Sequence, residues 1–450
     1  MTKDFTALTT VSDRPISPLE SKYLHFRWVR LLLYGMLGRS KKYHISFALF
    51  FLIYTTSCIK YAANGTIPPV SILADKNNNR LLIWKSTITS SQQPPDLVLG
   101  QPDFNSNSVD EGLGAPTAYT VSPQSIFFDG KILYSTDQGR VLVWNNLPTI
   151  NNQPADLELG QPGFLTSANN NPNTTLGMAN PIAITSDSKY LYLADRSDNR
   201  ILIWNLPIVQ NQQQANFVLG QSTLAAIGAN QGGGVTSKSL WAPSGIAVDN
   251  QRLYVSDAGN NRVLIYNLPV TANNQAANVV LGQPNMNCNV ADVATGSCVA
   301  GALSSQNLSS PIHVAVLGNR LAVADRFNNR VLIWNSIPTI NQQSADVVLG
   351  QSSMATAGAS AGSQGLSQPW GIFMDLNHIF VGDTFNNRVL VWNSFPIQNG
   401  QAADLVFGQP DMNQFAADNG GNPACSQCSW AAFGIYTNGS VPGVFLPQGY

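Results

Sequence analysis

Charge is scarce in this chain. Of 450 residues, 11% are Asp, Glu, Lys or Arg and the formal net charge is -1. That is about half the usual charged share. Without a basic excess there is no electrostatic footprint for nucleic acid, and no nucleic-acid partner is expected. Asn, Gln, Ser and Thr stand where the charges would be, a polar surface suited to an exported or envelope protein. Histidine is scarcer still, with four copies. The sequence contains no His-Glu-x-x-His, no Gly-x-Ser-x-Gly and no phosphate-cradling glycine loop, so the short signatures of zinc proteases, serine hydrolases and nucleotide enzymes are missing. No window has apolar residues at i, i+3, i+4, i+7 over a helical length. No apolar run reaches the ~20 residues that cross a bilayer.

The N-terminal region does carry a short apolar run. Arg39, Lys41 and Lys42 precede Ile45 to Tyr54, and Thr55-Thr56-Ser57 follow directly before Cys58. Basic, apolar and small-residue regions in that order make a secretory signal. It resembles a bacterial lipoprotein signal, which is cleaved before Cys58 and diacylated on its sulfur, although Thr55 stands where such signals usually carry Leu. An ordinary signal with an incidental cysteine is the alternative. Residues 1 to 35 do not fit a signal, so translation is expected to start at Met36, with the signal peptide over 36–57. Residues 1–57 are therefore read as non-mature sequence, 58–66 as a linker to the lipid anchor, and 67–450 as the folded domain.

Five cysteines are present. With Cys58 set aside for lipid, two near pairs remain, Cys288 with Cys298 and Cys425 with Cys428, and export favours disulfides. Only His313 and His378 lie in the mature chain and neither has ligand spacing to these cysteines, so no metal and no cofactor are expected. Cys425-x-x-Cys428 also lacks the βαβ setting of a thioredoxin-like redox pair.

What the chain has in abundance is one phrase, written six times: DKNNNRLLIWK from Asp75, DQGRVLVWN from Asp137, DRSDNRILIWN from Asp195, DAGNNRVLIYN from Asp257, DRFNNRVLIWN from Asp325 and DTFNNRVLVWN from Asp383. A Gly-Gln pair follows each copy, from Gly100-Gln101 to Gly408-Gln409. In the copy over residues 243–283, four short runs rich in Val, Ile, Leu and aromatics are bounded by Gly, Pro, Asn and Asp. These are four strands per unit of about 60 residues. The runs are nearly continuous rather than alternating, so both faces of each sheet are covered, as in blades stacked around an axis. A lone blade cannot bury either face, and the array must close on itself. The predicted fold is all-β: a six-bladed β-propeller of four-stranded antiparallel blades.

Within the phrase, the Asn-Asn step is a turn. Asp75, Asp137, Asp195, Asp257, Asp325 and Asp383 are expected to accept backbone N–H groups of that turn. Arg80, Arg140, Arg200, Arg262, Arg330 and Arg388 are expected to pair with them. A carboxylate ring binding a cation is the alternative. The aromatic residue ending the third strand is read as inter-blade packing. The first copy begins at its second strand, and Ala432 to Tyr436 reads as a first strand. The C-terminal strand is therefore expected to complete blade one and remove an open edge. Val444 to Leu446 has no evident place.

The run PxGIAVD…LYVxDxxNNRVLIW resembles the NHL repeat, a six-bladed β-propeller unit, over roughly Ile67 to the C-terminus. The copies depart from it in carrying Asn where many such repeats place His before the Arg, and in an extended fourth strand and loop. The resemblance brings two further expectations. Similar propellers include lyases with a metal held by channel histidines, and some serve as extracellular modules of receptor kinases.

Chain direction places the second-to-third turns and the fourth-to-first connections on one face. That face carries the long loops 102–121, 162–179, 222–241, 284–310, 352–367 and 410–430; the loops of type NLPTINNQPAD are assigned to the opposite face. Long variable loops on a rigid frame are where recognition sits. Aligned first strands put Ser125, Ala183, Gly245, His313, Gly371 and Gly434 at one position. Residues expected at the channel mouth are Gln124, Ser244, His313, Trp370 and Phe433, with Trp241 just before the fourth blade. The expected function is a monomeric, lipid-anchored envelope binding or scaffold protein that recognises a protein, peptide or glycan, touching the membrane only through its anchor. The alternative is a metal-dependent lyase or hydrolase with its site in the channel.

Overall fold

The computed structural model describes residues 70–86, 94–166, 175–407, 409–415 and the strand 432–437. The signal region, Cys58, the linker 58–66, the Cys425 and Cys428 pair and the segment 441–450 lie outside the described residues.

Blade one holds β1 (Ser71–Asp75), β2 (Arg80–Trp84) and β3 (Leu97–Leu99). Blade two holds β4 (Ser125–Phe128), β5 (Leu133–Asp137), β6 (Arg140–Trp144) and β7 (Leu157–Leu159). Blade three holds β8 (Pro181–Ser186), β9 (Tyr190–Asp195), β10 (Arg200–Asn205) and β11 (Phe217–Leu219). Blade four holds β12 (Pro243–Val248), β13 (Arg252–Asp257), β14 (Arg262–Asn267) and β15 (Val279–Leu281). Blade five holds β16 (Pro311–Leu317), β17 (Arg320–Asp325), β18 (Arg330–Trp334) and β19 (Val347–Leu349). Blade six holds β20 (Pro369–Met374), β21 (Ile379–Asp383), β22 (Arg388–Trp392) and β23 (Leu405–Phe407). The last strand, β24 (Ala432–Thr437), pairs antiparallel with β1 and completes blade one. The innermost strands β24, β4, β8, β12, β16 and β20 each lie against the next and close the ring.

The continuous apolar runs are explained by burial on both faces: β6, β18 and β22 are buried at every residue. Between blades one and two, Leu81, Ile83, Leu97 and Leu99 pack with Ile126, Phe128, Leu142 and Trp144. Each such side chain contributes roughly 1.5–3 kcal/mol when fully buried. Near the axis the backbones approach closely. A Cβ on Gly245 would stand 2.7 Å from the Cα of His313 in the next blade, which accounts for the small residues at that aligned position.

The Asp and Arg of each phrase form a buried hub. In blade four, Arg262 Nε donates to Asp257 Oδ2 at 2.7 Å, Nη1 to the Met286 carbonyl and Nη2 to the Ser239 carbonyl. One guanidinium thus holds the connections before and after its own blade, and all the guanidinium nitrogens have acceptors. The same set recurs at Arg330, with Met354 and Asn307, and at Arg388, with Met412 and Gly365. The partner of Asp Oδ1 differs from the turn N–H expected from sequence. Trp241, Ser309 and Ser367 donate to it from 16 residues upstream, on the connection leading to the first strand. In the shortened turn of blade two a turn N–H, that of Gln138, joins it. The second Asn takes the left-handed conformation, φ 52° at Asn261. Its Nδ2 donates to the Asn289 carbonyl and its Oδ1 accepts from Ser310 of the next blade. The Gly-Gln pair closes the arrangement: Gln283 Nε2 donates to the carbonyls of Asn261 and Val290.

The loops assigned to the opposite face do not stay there. The five described, those of blades two to six, climb the rim and cover the outer strand of the preceding blade. Asn151 Oδ1 accepts from Val98 N while Asn152 N donates to Val98 O. Asn211 and Gln212 do the same on Glu158, Asn273 and Asn274 on Val218, Asn341 and Gln342 on Val280, and Asn399 and Gly400 on Val348. The loop then bonds a long-face connection, as Ala277 N does to Ser237 O. The physical reason is the exposed edge of a short fourth strand, whose free N–H and C=O groups need partners. Trp144, Trp204, Trp334 and Trp392 anchor these loops by donating Nε1 to the carbonyls of Gln153, Gln213, Gln343 and Gln401.

Removing one member of a buried pair leaves an uncompensated charge, at a cost of about 3–5 kcal/mol. Arg262→Ala should lower unfolding stability by that amount in urea titration. Arg80→Ala should cost clearly less, because the Arg80 and Asp75 side chains are partly exposed. Equal costs would refute the hub reading.

Candidate functional site at the channel mouth

The turn after the second strand differs between blades at the two positions that follow the Asp. In blade five, Arg326–Asn328 forms a single 3-10 turn. The N–H of the second residue after the Asp is tied to the incoming connection: Gly259 to Trp241 O, Phe327 to Ser309 O and Phe385 to Ser367 O. That position is Ser197 in blade three and Gly259 in blade four. Gly259 leaves room for Trp241, whose ring would stand 2.6 Å from a Cβ placed there. Blades four, five and six therefore each present one aromatic side chain to solvent: Trp241 45%, Phe327 55% and Phe385 45% exposed.

Beneath them, the Arg326 guanidinium lies 4.9 Å from the Trp370 ring centre and 5.2 Å from that of Phe327. Its Nε donates to Gln368 Oε1 at 3.1 Å, joining blade five to blade six. Sequence reasoning missed Arg326, Phe327, Gln368 and Phe385. The signal was present as variation at the two positions after each Asp, inside a phrase read as uniform.

The expected mouth residues do not converge on one pocket. Ser244 and Trp370 lie at the bulge that recurs between the proline and the aligned small residue of the inner strands. The Ser244 hydroxyl donates to Ala242 O, and Gln124 Nε2 donates to Asn180 Oδ1 in blade three. Phe433 has its backbone in β24, and its side chain lies outside the described residues. His313 sits on the innermost strand of blade five with Nδ1 buried and without a hydrogen-bond partner among the described residues. The residue as a whole is half-buried, and desolvation by the surrounding protein pushes its pKa down to about 4. Among the described residues no group of three or more His, Cys, Asp or Glu could hold a metal.

One further group is electrostatically unusual. Glu158 on β7 occupies the position of Val98, Val218, Val280, Val348 and Val406 in the other blades. Its carboxyl is fully buried without a hydrogen bond among the described residues, 3.7 Å from Arg140 Nη1. Burial raises its pKa to about 7, against the attraction of Arg140. At the mouth itself, Cys288 and Cys298 form a disulfide within the 284–310 loop, Cα to Cα 5.4 Å. Asp292 of that loop accepts from Asn328 Nδ2 at 2.7 Å and so ties the loop to the blade-five turn.

The geometry defines an all-β, six-bladed propeller of four-stranded antiparallel blades. The family model described as the NHL repeat matches residues 240–266, the first three strands of blade four. The sequence matches none of the curated proteins. Among solved structures, the chain is similar to one titled as a nidogen/laminin complex, at 13% identity and TM-score 0.45, covering 83% of this chain and 100% of that one. It is also similar to a periplasmic gluconolactonase of Pseudomonas aeruginosa, at 12% identity and TM-score 0.40, covering 72% and 78%.

Two of the perturbed groups, His313 and Glu158, predict opposite pH limbs, and burial also raises the pKa of Asp198 to about 7 and of Asp383 to about 6. His313 has a lowered pKa, so its contribution is complete above pH ~6.5 and is lost as pH falls towards about 4. Glu158 has a raised pKa, so its contribution is complete below pH ~4.5 and is lost as pH rises through about 7. Each limb amounts to about 3 kcal/mol at most. Urea midpoints between pH 4 and 8 should show the acid limb flattened in His313→Gln and the upper limb flattened in Glu158→Gln. Unchanged limbs would contradict these environments.

Proposed function

We propose that this is a monomeric, lipid-anchored binding protein of a bacterial cell envelope, and that its long-loop face recognises a protein, peptide or glycan. The observation that carries the reading is the presentation of Trp241, Phe327 and Phe385 to solvent on three successive blades, beside the exposed aromatics Phe104, Tyr119 and Phe415 of the long connections. Exposed aromatic clusters on a rigid surface mark recognition sites, because they bury much apolar area at little entropic cost. The neighbouring loop is pinned by a disulfide and by Asp292, so the surface is set before a partner arrives. Anchoring through Cys58 is supported by the basic, apolar and small-residue order of residues 39–58.

Two measurements test this. The triple variant Trp241→Ala, Phe327→Ala, Phe385→Ala should weaken partner capture from envelope fractions by more than about tenfold at an unchanged melting temperature. Equal capture would dismiss the aromatic face. In a bacterial host, Cys58→Ser should abolish fatty-acid labelling and release the protein from the membrane fraction. A labelled or membrane-bound variant would dismiss the anchor.

A further inference from the structure

The rim loops show one exception. Each carries, next to the Asn that caps the preceding outer strand, a residue in the left-handed conformation: Asn152, Gln212, Asn274, Gln342 and Gly400, with φ between 51° and 62°. In four of these the side chain is a carboxamide that plugs the gap to the adjoining long-face connection. Asn152 Nδ2 donates to Glu111 Oε1, Gln212 Nε2 to the Pro162 carbonyl, Asn274 pairs with Gln231, and Gln342 Oε1 accepts from Gly296 N. Blade six has Gly400 at this place. Its N–H makes the same bond to the blade-five outer strand, Val348 O at 2.8 Å, but it has no side chain. A groove of about 570 Å³ opens there, between Gly400 and the connection that joins blades five and six.

The lining sets the chemistry of an occupant. Ser352, Thr356, Ser360, Gln364 and Asn399 bring hydroxyl and carboxamide groups, and no charged side chain or aromatic ring takes part. An ionic ligand would find no counter-charge. The volume lies within the ~300–1,000 Å³ of small-molecule sites and far exceeds one carboxamide. A fitting ligand is neutral, rich in hydroxyls, and carries an amide that can take the place of the missing Asn or Gln group. We propose that this groove is a subsite for an acetamido sugar, one or two N-acetylhexosamine rings, with the acetamido group standing where the other junctions place their carboxamide. The inference rests on the reading of the long-loop face as a binding surface and narrows its ligand to a glycan.

The test is titration calorimetry of the folded protein with N,N′-diacetylchitobiose, and with cellobiose, which has the same linkage without acetamido groups. The diacetyl sugar should bind and cellobiose should bind at least about tenfold more weakly. Gly400→Asn puts a carboxamide back at this place, and Asn tolerates positive φ; its Cβ would stand 3.0 Å from the Gln351 carbonyl oxygen and 3.2 Å from Ser352 Cα, so the connection must give by a few tenths of an ångström, and the folded variant should lose at least about tenfold in affinity. Should it fail to fold, Ser352→Tyr fills the groove from the other wall with the same expected loss. No binding of the diacetyl sugar, equal binding of cellobiose, undiminished binding by the filled variant, or preference for N-acetylasparagine amide over the sugar would each overturn the proposal. Partner capture that is lost in the aromatic triple variant yet kept in Gly400→Asn, with no sugar bound, would remove the groove and leave the wider binding function standing.

Discussion

A guanidinium that is fully buried and fully bonded organises this molecule. Burying a charge without partners is prohibitive, so each Arg must be met by its Asp and by carbonyls from two connections. That requirement fixes where the chain may enter and leave blades two to six. The inner strand is brought in by Asp Oδ1, and the outgoing loop is caught by Nη1. The αL Asn then passes the constraint to the next blade. The aromatic mouth and the blade-six groove sit on backbone positioned in this way.

A frame so uniform makes differences informative. The residue two after the Asp is small or polar in blades three and four and aromatic in blades five and six. The rim-loop residue is a carboxamide four times and a glycine once. Neither variation follows from the backbone bonds, which are the same at the first place in blades four, five and six and at the second in the five rim loops described.

The architecture was legible because its causes are periodic. Six copies of one phrase, continuous apolar runs and a stray first strand at Ala432 were enough to predict six blades and the closing β24. The roles of the Asn and Gln residues were not legible. Gln283 and Asn273 act on carbonyls or strand edges in another blade or connection, and nothing in a polar stretch rich in similar residues marks which amide reaches which group. The reach of the rim loops was hidden for the same reason: chain direction tells on which face a loop begins, not how far it climbs to satisfy an edge. At the mouth, aligned first strands pointed to Gln124, Ser244 and His313. Two of these are occupied by internal hydrogen bonds, while the exposed aromatics lay hidden inside a phrase treated as a turn.

The closing strand also imposes an order of events. Synthesis delivers β1, β2 and β3 first and their inner neighbour β24 some 350 residues later. Until then blade one has an unpaired edge at the axis, and the ring has no last contact between β20 and β4. Five blades can stack as they emerge, each covering the outer edge of the one before it. The circle is completed only when residues 432–437 are released, so a chain arrested short of them is an open horseshoe with a strand edge ready to pair with whatever it meets.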